Sequence, residues 1–264
     1  KLTSASICHS CNLAVDKNFC SNCGQKKYKR IDRKYIWDEI QYSTIHTNKG
    51  FLYSIKNILK NPGKTAREFI DGNRVNHYKP ISLAFILSGI SAFISFKIVG
   101  MDAVLKSFYE NQKMNSKLMT DMLSFMASYN SFIMLLFIPL MAILTSLIFR
   151  KWGQNYFEHV VMNAFGFSFY TIVTILFFSP ILFFLKDSPA TFQMISSLGM
   201  LIIPISMVWF YKAFYIDKSL KTILLRILLI LLFLTIIYFI LIILAVIIVL
   251  VFKGPDAINY IKPN

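Results

Sequence analysis

The chain has 264 residues, of which 56% are hydrophobic and only 16% charged, a balance that excludes an ordinary soluble domain and points to the membrane class. Its 28 Lys and Arg outnumber 13 Asp and Glu, for a net charge of +15. Residues 1 to 79 alone hold 15 of those basic residues and six acids, so an anionic partner, most simply a phospholipid surface, is expected for the front of the chain.

The first ten residues, KLTSASICHS, contain no apolar run, so no cleavable signal peptide is expected within them. Beginning within them, CHSCNLAVDKNFCSNCG at 8 to 24 holds all four cysteines of the chain as two Cys-x-x-Cys knuckles. Each knuckle aims two thiolates at one point, and Cys8, Cys11, Cys20 and Cys23 together offer zinc a tetrahedral site. Gly24 supplies the positive φ that such a turn commonly needs. Only eight residues separate the knuckles, which makes 1 to 25 a short ribbon whose folding energy would come from structural Zn2+. Two disulfides, an iron centre or four idle thiols are the alternatives, and a reducing cytosol disfavours the first. Four thiolates leave no open coordination position, which argues against zinc catalysis and against His9 or His46 as ligands.

Residues 26 to 34, KKYKRIDRK, carry six basic residues and one acid and read as a juxtamembrane polybasic segment, in preference to a nucleic-acid patch. In the remainder of the 26 to 79 segment, Phe51, Leu52, Ile55, Ile58 and Leu59 recur at helical spacing with Lys49, Lys56 and Lys60 among them. An amphipathic helix is expected there, lying on the membrane or against the cytosolic face of a bundle, and ending at Asn61-Pro62-Gly63. A short helix over 65 to 71 and a turn at Gly72-Asn73 follow. Gly63-Lys64-Thr65 imitates the end of a phosphate-binding loop, but that motif needs Gly at position 58, which is Ile. Lys64, Arg67, Arg74, His77 and Lys79 remain as a candidate lipid or phosphate contact, against the simpler reading of headgroup anchoring.

Five segments within 80 to 252 meet the length and apolarity of membrane helices: 81 to 101, 129 to 149, 160 to 185, 192 to 211 and 222 to 252. Lys97 interrupts the first near its end and is expected to snorkel, while the last runs uncharged from Ile227 to Phe252 and must tilt or protrude. Ser179-Pro180 leaves open a division of the third into two re-entrant pieces. The fold class is therefore all-α, with about five transmembrane helices behind a cytosolic ribbon, and 253 to 264 as a short tail. Basic residues number 21 on one side of these spans and six on the other, which places the N-terminus in the cytosol and the C-terminus outside.

Inside the spans, Pro139, Pro180 and Pro204 each favour a kink, and the uncharged cores contain no Asp or Glu. Glu158, His159 and Asn163 form the most suggestive polar group, with His159 and Asn163 on one helical face. An interfacial anchor or interhelical hydrogen bond is the simpler account of it. Tyr156, Tyr170 and Trp209 read as interface or packing aromatics. Neither His-Glu-x-x-His nor Gly-x-Ser-x-Gly occurs, so nothing supports an enzyme.

Three stretches, FCSNCGQK at 19 to 26, NPGKTAREFIDGNRVNHYKPISL at 61 to 83 and YFEHVVMNAF at 156 to 165, resemble a family of bacterial multi-pass membrane proteins with an N-terminal zinc ribbon, catalogued as domain of unknown function 3667. The resemblance implies a ribbon followed by membrane helices in the bacterial inner membrane, and it brings no activity and no catalytic residues. Two functions lead, ahead of a third, an enzyme acting on lipid headgroups, which would require polar groups converging near His77, Glu158 and His159 at the cytosolic surface. The first is a non-enzymatic assembly component whose ribbon docks a protein partner at the cytosolic face. The alternative is a transporter, channel or lipid-handling protein that uses the ribbon as a regulator. A cavity near Pro139, Asn163 and Pro204 would favour the alternative; a dry, tightly packed bundle would favour docking. Membrane lipids are expected partners in both cases, nucleic acid is disfavoured, and the oligomeric state is open.

Overall fold

A computed structural model describes residues 6–7, 13–15, 18–22, 50–73 and 77–262. The chain divides into two units, 1–48 and 49–264, each considered by itself. In the first, β1 (Ser6–Ile7) pairs antiparallel with β2 (Ala14–Val15) in the register Ser6 to Val15 and Ile7 to Ala14. These strands flank the segment that holds the first knuckle. Cys20 is buried against Val15. Cys8, Cys11, Cys23 and the basic segment 26–34 lie outside the described residues. Among the described residues no three His, Cys, Asp or Glu side chains are grouped to hold a metal.

The second unit is helical. Two short helices, α1 (Gly50–Lys60) and α2 (Pro62–Ile70), precede the long ones. Asn61 ends the first and starts the second: its side chain accepts from the Lys64 amide at 2.9 Å, while Pro62 occupies the first helical turn, where its missing N–H costs nothing. Helix α2 thus begins three residues before the expected 65. The turn after it contains Gly72 at φ 117°, a conformation that strains any residue with a Cβ.

Five helical segments are long and apolar enough to cross a membrane: Pro80–Ile98, Lys117–Ile148, Tyr156–Leu185, Pro189–Phe214 and Leu220–Lys253. The first comprises α3 (Pro80–Phe93) and a widened π-helical turn, Ile94–Ile98, with Lys97 exposed beside its end. A helix not anticipated from hydropathy, α4 (Met101–Asn111), follows. Helix α5 (Lys117–Ile148) starts 12 residues before the apolar run at 129, because Ser116 caps it by accepting from the Met119 amide. The third segment is α6 (Tyr156–Val173), a π-helical turn at Thr174–Phe178 and α7 (Ser179–Leu185). It remains one rod rather than two re-entrant pieces, because the widened turn accommodates the donor that Pro180 lacks.

The fourth segment is broken between α8 (Pro189–Gly199) and α9 (Ile202–Phe214), so Pro204 falls in a first turn, where it needs no kink. Helix α10 (Leu220–Lys253) has 34 residues and spans about 51 Å, well beyond a hydrocarbon core of about 30 Å. The terminal helix α11 (Ala257–Ile261) returns to α5, where the Tyr260 hydroxyl bonds Asp121.

Burial is uneven along the bundle. Helices α3, α5 and α6 pack on one another, α2 packs on α6 and α9, and Ile58, Ala66, Phe149, Phe165 and Phe214 are all buried where α2 meets the long helices. A smaller cluster of Val99, Val104, Leu182 and Phe192 closes contacts elsewhere. Helix α10 fully buries only Ile223, Ile227 and Ile230; Leu231 and Leu234 pack on the core half-buried, and most of its other apolar side chains are exposed. Such an all-round apolar helix is stable in hydrocarbon, whereas in water it would form one large aggregating patch.

Candidate functional site

Helix α2 is the first feature that the local sequence places in the bundle. At Gly63, a Cβ would stand 2.1 Å from the Phe210 carbonyl oxygen and 2.9 Å from the Phe214 nitrogen, so only glycine permits this approach to the last turns of α9. Arg67 then donates to the Phe214 carbonyl at 3.3 Å and satisfies a carbonyl left open at that helix end. Gly63-Lys64-Thr65 is therefore a packing and capping element. Thr65 donates to the Asn61 carbonyl at 2.9 Å, and the helix start is occupied by its own cap.

Among the described residues, the basic side chains of this region have separate partners. Lys64 pairs with Glu68 and Arg67 with Asp71, both at 3.7 Å, and exposed pairs of this kind contribute about 1 kcal/mol or less. Lys79 precedes α3 and is exposed, and Arg74 lies outside the described residues. His77 turns inward. Its Nδ1 lies 3.3 Å from the Ser54 hydroxyl oxygen, which also accepts from the Tyr78 amide at 2.8 Å, and its ring edges against Tyr53, Phe69 and Phe165.

Burial lowers the His77 pKa below its usual 6.5, and the Glu68 carboxylate only partly offsets this. As pH falls through 6.5 the unfolded chain takes up a proton that the folded site resists, so stability is full above that pH and declines below it until the folded value is passed. Thermal unfolding in detergent is expected to show a lower midpoint at pH 5.5 than at pH 7.5, with a shallower dependence in His77→Asn. An equal slope in both proteins would assign the effect to other groups.

At the same end, α5, the 3-10 turn Arg150–Trp152, α9 and α10 bring together an aromatic cluster. Phe149 stacks on Tyr211 at 4.6 Å and Tyr215 at 5.4 Å, and the Arg226 guanidinium lies 4.4 Å from the Trp152 ring centroid. Sequence reading missed this cluster, since its members come from three separated segments; an arginine inside the start of the most apolar span was its one visible sign. A pocket of about 250 Å³ adjoins it, lined by Arg67, Asp71, Trp152, Gln154, Tyr215 and Lys218 among others. Burial raises the Tyr215 pKa and keeps its hydroxyl protonated.

The Glu158, His159 and Asn163 group resolves into separate roles. Asn155 and Glu158 form a capping box at the start of α6: the Glu158 carboxylate accepts from the Asn155 amide at 2.8 Å and Asn155 accepts from the Glu158 amide at 3.0 Å. His159 is fully buried, and neither ring nitrogen has a hydrogen-bond partner among the described residues. Asn163, one turn on, donates to the His159 carbonyl at 2.8 Å and to the Thr145 hydroxyl on α5 at 3.0 Å. The interhelical bond is thus real, with a partner on α5 that spacing within α6 could not reveal.

Asn163 borders a cavity of about 360 Å³ between α5, α6, α9 and α10, a size within the range of small-molecule sites. Apolar side chains form nearly all of its wall, including Phe137, Met141, Met207 and Leu234, while Asn163, Tyr170, Ser206 and Tyr211 bring polar groups. Pro139 and Pro204 do not line it, although Ile203 does. From Tyr211 to Ile203 along α9 it extends over about 12 Å.

No curated protein and no solved structure matches the chain. Residues 48–92, which hold α1, α2 and most of α3, match the model of a family described as protein of unknown function DUF3667.

Proposed function

We propose that the protein is a multi-pass membrane protein of the lipid-handling type, which holds a hydrocarbon chain between α5, α6, α9 and α10 and carries a zinc-stabilised ribbon as its cytosolic docking or regulatory module. The cavity beside Asn163 is the observation that carries this reading. The cavity is half open, so it is filled by whatever solvates the bundle, and within spanning segments that solvent is lipid. The N-terminus lies in the cytosol on the balance of 21 basic residues against six, and Cys8, Cys11, Cys20 and Cys23 would hold the zinc. The β1–β2 pairing and the burial of Cys20 against Val15 fit a ribbon built around the knuckles.

A second reading, a non-enzymatic assembly component with no lipid role, is favoured by the seat of α2. Gly63 and Arg67 lock α2 to the end of α9, which makes this end of the helical unit a rigid surface of the kind a protein partner can dock on. The two readings separate on delipidation. If the cavity holds a chain, stripping lipid in detergent lowers the unfolding midpoint and adding lipid back restores it; Gly166→Leu, which places a side chain in the cavity wall, removes that dependence. Equal midpoints for stripped and replenished wild type would leave the docking reading alone.

A further inference from the structure

We propose that this cavity selects a single-chain lipid alcohol, with the hydroxyl at Asn163 and the hydrocarbon chain running toward Tyr170 and Ile203. The inference rests on the chain-binding reading above and names its ligand class.

Hydrogen bonding fixes which way the Asn163 amide faces. Its nitrogen donates to the His159 carbonyl, which can only accept, so that atom is Nδ2 and the other is Oδ1. The same nitrogen donates to Thr145 Oγ1, whose own hydrogen goes to the Met141 carbonyl at 2.9 Å. Both amide hydrogens are therefore engaged within the protein. Among the described residues no hydrogen bond reaches Oδ1, and the residue, only 8% exposed, borders the cavity. An amide oxygen on a wall that is apolar but for the hydroxyls of Tyr170, Ser206 and Tyr211 is an acceptor in want of a donor.

That acceptor sorts the available ligands. A hydroxyl supplies the missing hydrogen without bringing charge into a low-dielectric site. A fatty acid in its ionised form has no hydrogen to give and would face Oδ1 oxygen to oxygen. No Lys, Arg, Asp or Glu lines the cavity, so neither a phosphate nor an ammonium headgroup finds a counter-charge in it. An alkane fills the void but leaves Oδ1 unpaired. The depth also fits: Asn163 lies eight residues, or about 12 Å, beyond the helix cap at Asn155, with the cavity continuing deeper along α6 to Tyr170.

The test uses the full-length protein in nanodiscs of a neutral phospholipid and three diazirine-bearing probes of equal chain length: a primary alcohol, a carboxylic acid and an alkane. Peptide mapping reads labelling on α6 and α9. In wild type the alcohol is expected to label cavity residues roughly five- to tenfold more than the alkane or the acid, the factor for one neutral hydrogen bond in an apolar site. Asn163→Leu should lower alcohol labelling to the alkane level while alkane labelling persists, and Gly166→Leu should suppress all three. Equal labelling by the three probes in wild type would overturn the alcohol assignment and leave chain binding standing. Labelling of the outer helix faces alone, by every probe, would overturn both. Competition among probes in wild type decides the matter even if Asn163→Leu does not fold.

Discussion

Gly63→Ala is expected to destabilise the bundle by about 3 kcal/mol or more, although Gly to Ala within a helix ordinarily stabilises by up to about 1 kcal/mol. The sign reverses because of what lies opposite. The new methyl would meet the Phe210 carbonyl at 2.1 Å and Ala213 Cβ and Phe214 N at 2.9 Å, all belonging to consecutive turns of α9. Backbone atoms in a helix cannot step aside as a flexible side chain does. Helix α2 must lift instead, which loses the Arg67 bond to Phe214 and uncovers Ala66 and Ile58, both fully buried. Gly166→Ala is the matched control: its Cβ would meet nothing closer than Phe210 ring carbons at 3.9 Å. Thermal unfolding of the extracted protein should show a large drop for the first variant and none for the second. Similar midpoints for Gly63→Ala and wild type would mean that α2 does not sit on α9.

Replacing Cys20 and Cys23 by Ser is expected to reduce bound zinc from about one per chain to none, since structural zinc supplies a small ribbon with roughly 10 kcal/mol or more of folding free energy. The bundle should remain inserted with an unchanged midpoint, because membrane helices satisfy their own backbone hydrogen bonds and residues 49–264 form a unit of their own. Elemental analysis, membrane fractionation and partner recovery by crosslinking read the three consequences together. Metal-free wild type would remove zinc from the account. Loss of the variant from the membrane would make the ribbon a structural part of the bundle, and unchanged partner recovery after zinc loss would show that docking lies elsewhere.

The long apolar runs made five helices legible from sequence, because hydrocarbon solvation leaves a signal in every residue of a span. Where tertiary contacts decide, the signal was absent. Hydropathy begins α5 at 129, yet the helix extends back to Lys117 because Ser116 caps it and polar residues there are compatible with a helix beyond the apolar core. Helix α4 has only 11 residues, interrupted by Asp102, Lys106 and Glu110, so it is too short and too charged to register as a span. Gly63 could be recognised only as a failed phosphate-loop glycine, since the atoms that require it belong to residues almost 150 positions later. Asn163 was legible as a polar residue on an apolar face, while Thr145, which orients its amide, sits on a different helix. Glu158 was read beside His159 by proximity, although the residue three before it, Asn155, carried the capping-box spacing that accounts for it.

The central claim, that α5, α6, α9 and α10 enclose a lipid chain, is tested most directly by a density map of the full-length protein in lipid nanodiscs. The account predicts an unbranched, elongated density of about 12 Å or more between these helices, with one end within hydrogen-bond distance of Asn163 Oδ1. Closure of the four helices onto one another, with Met141, Met207 and Leu234 filling the space and no density beside Asn163, would contradict it.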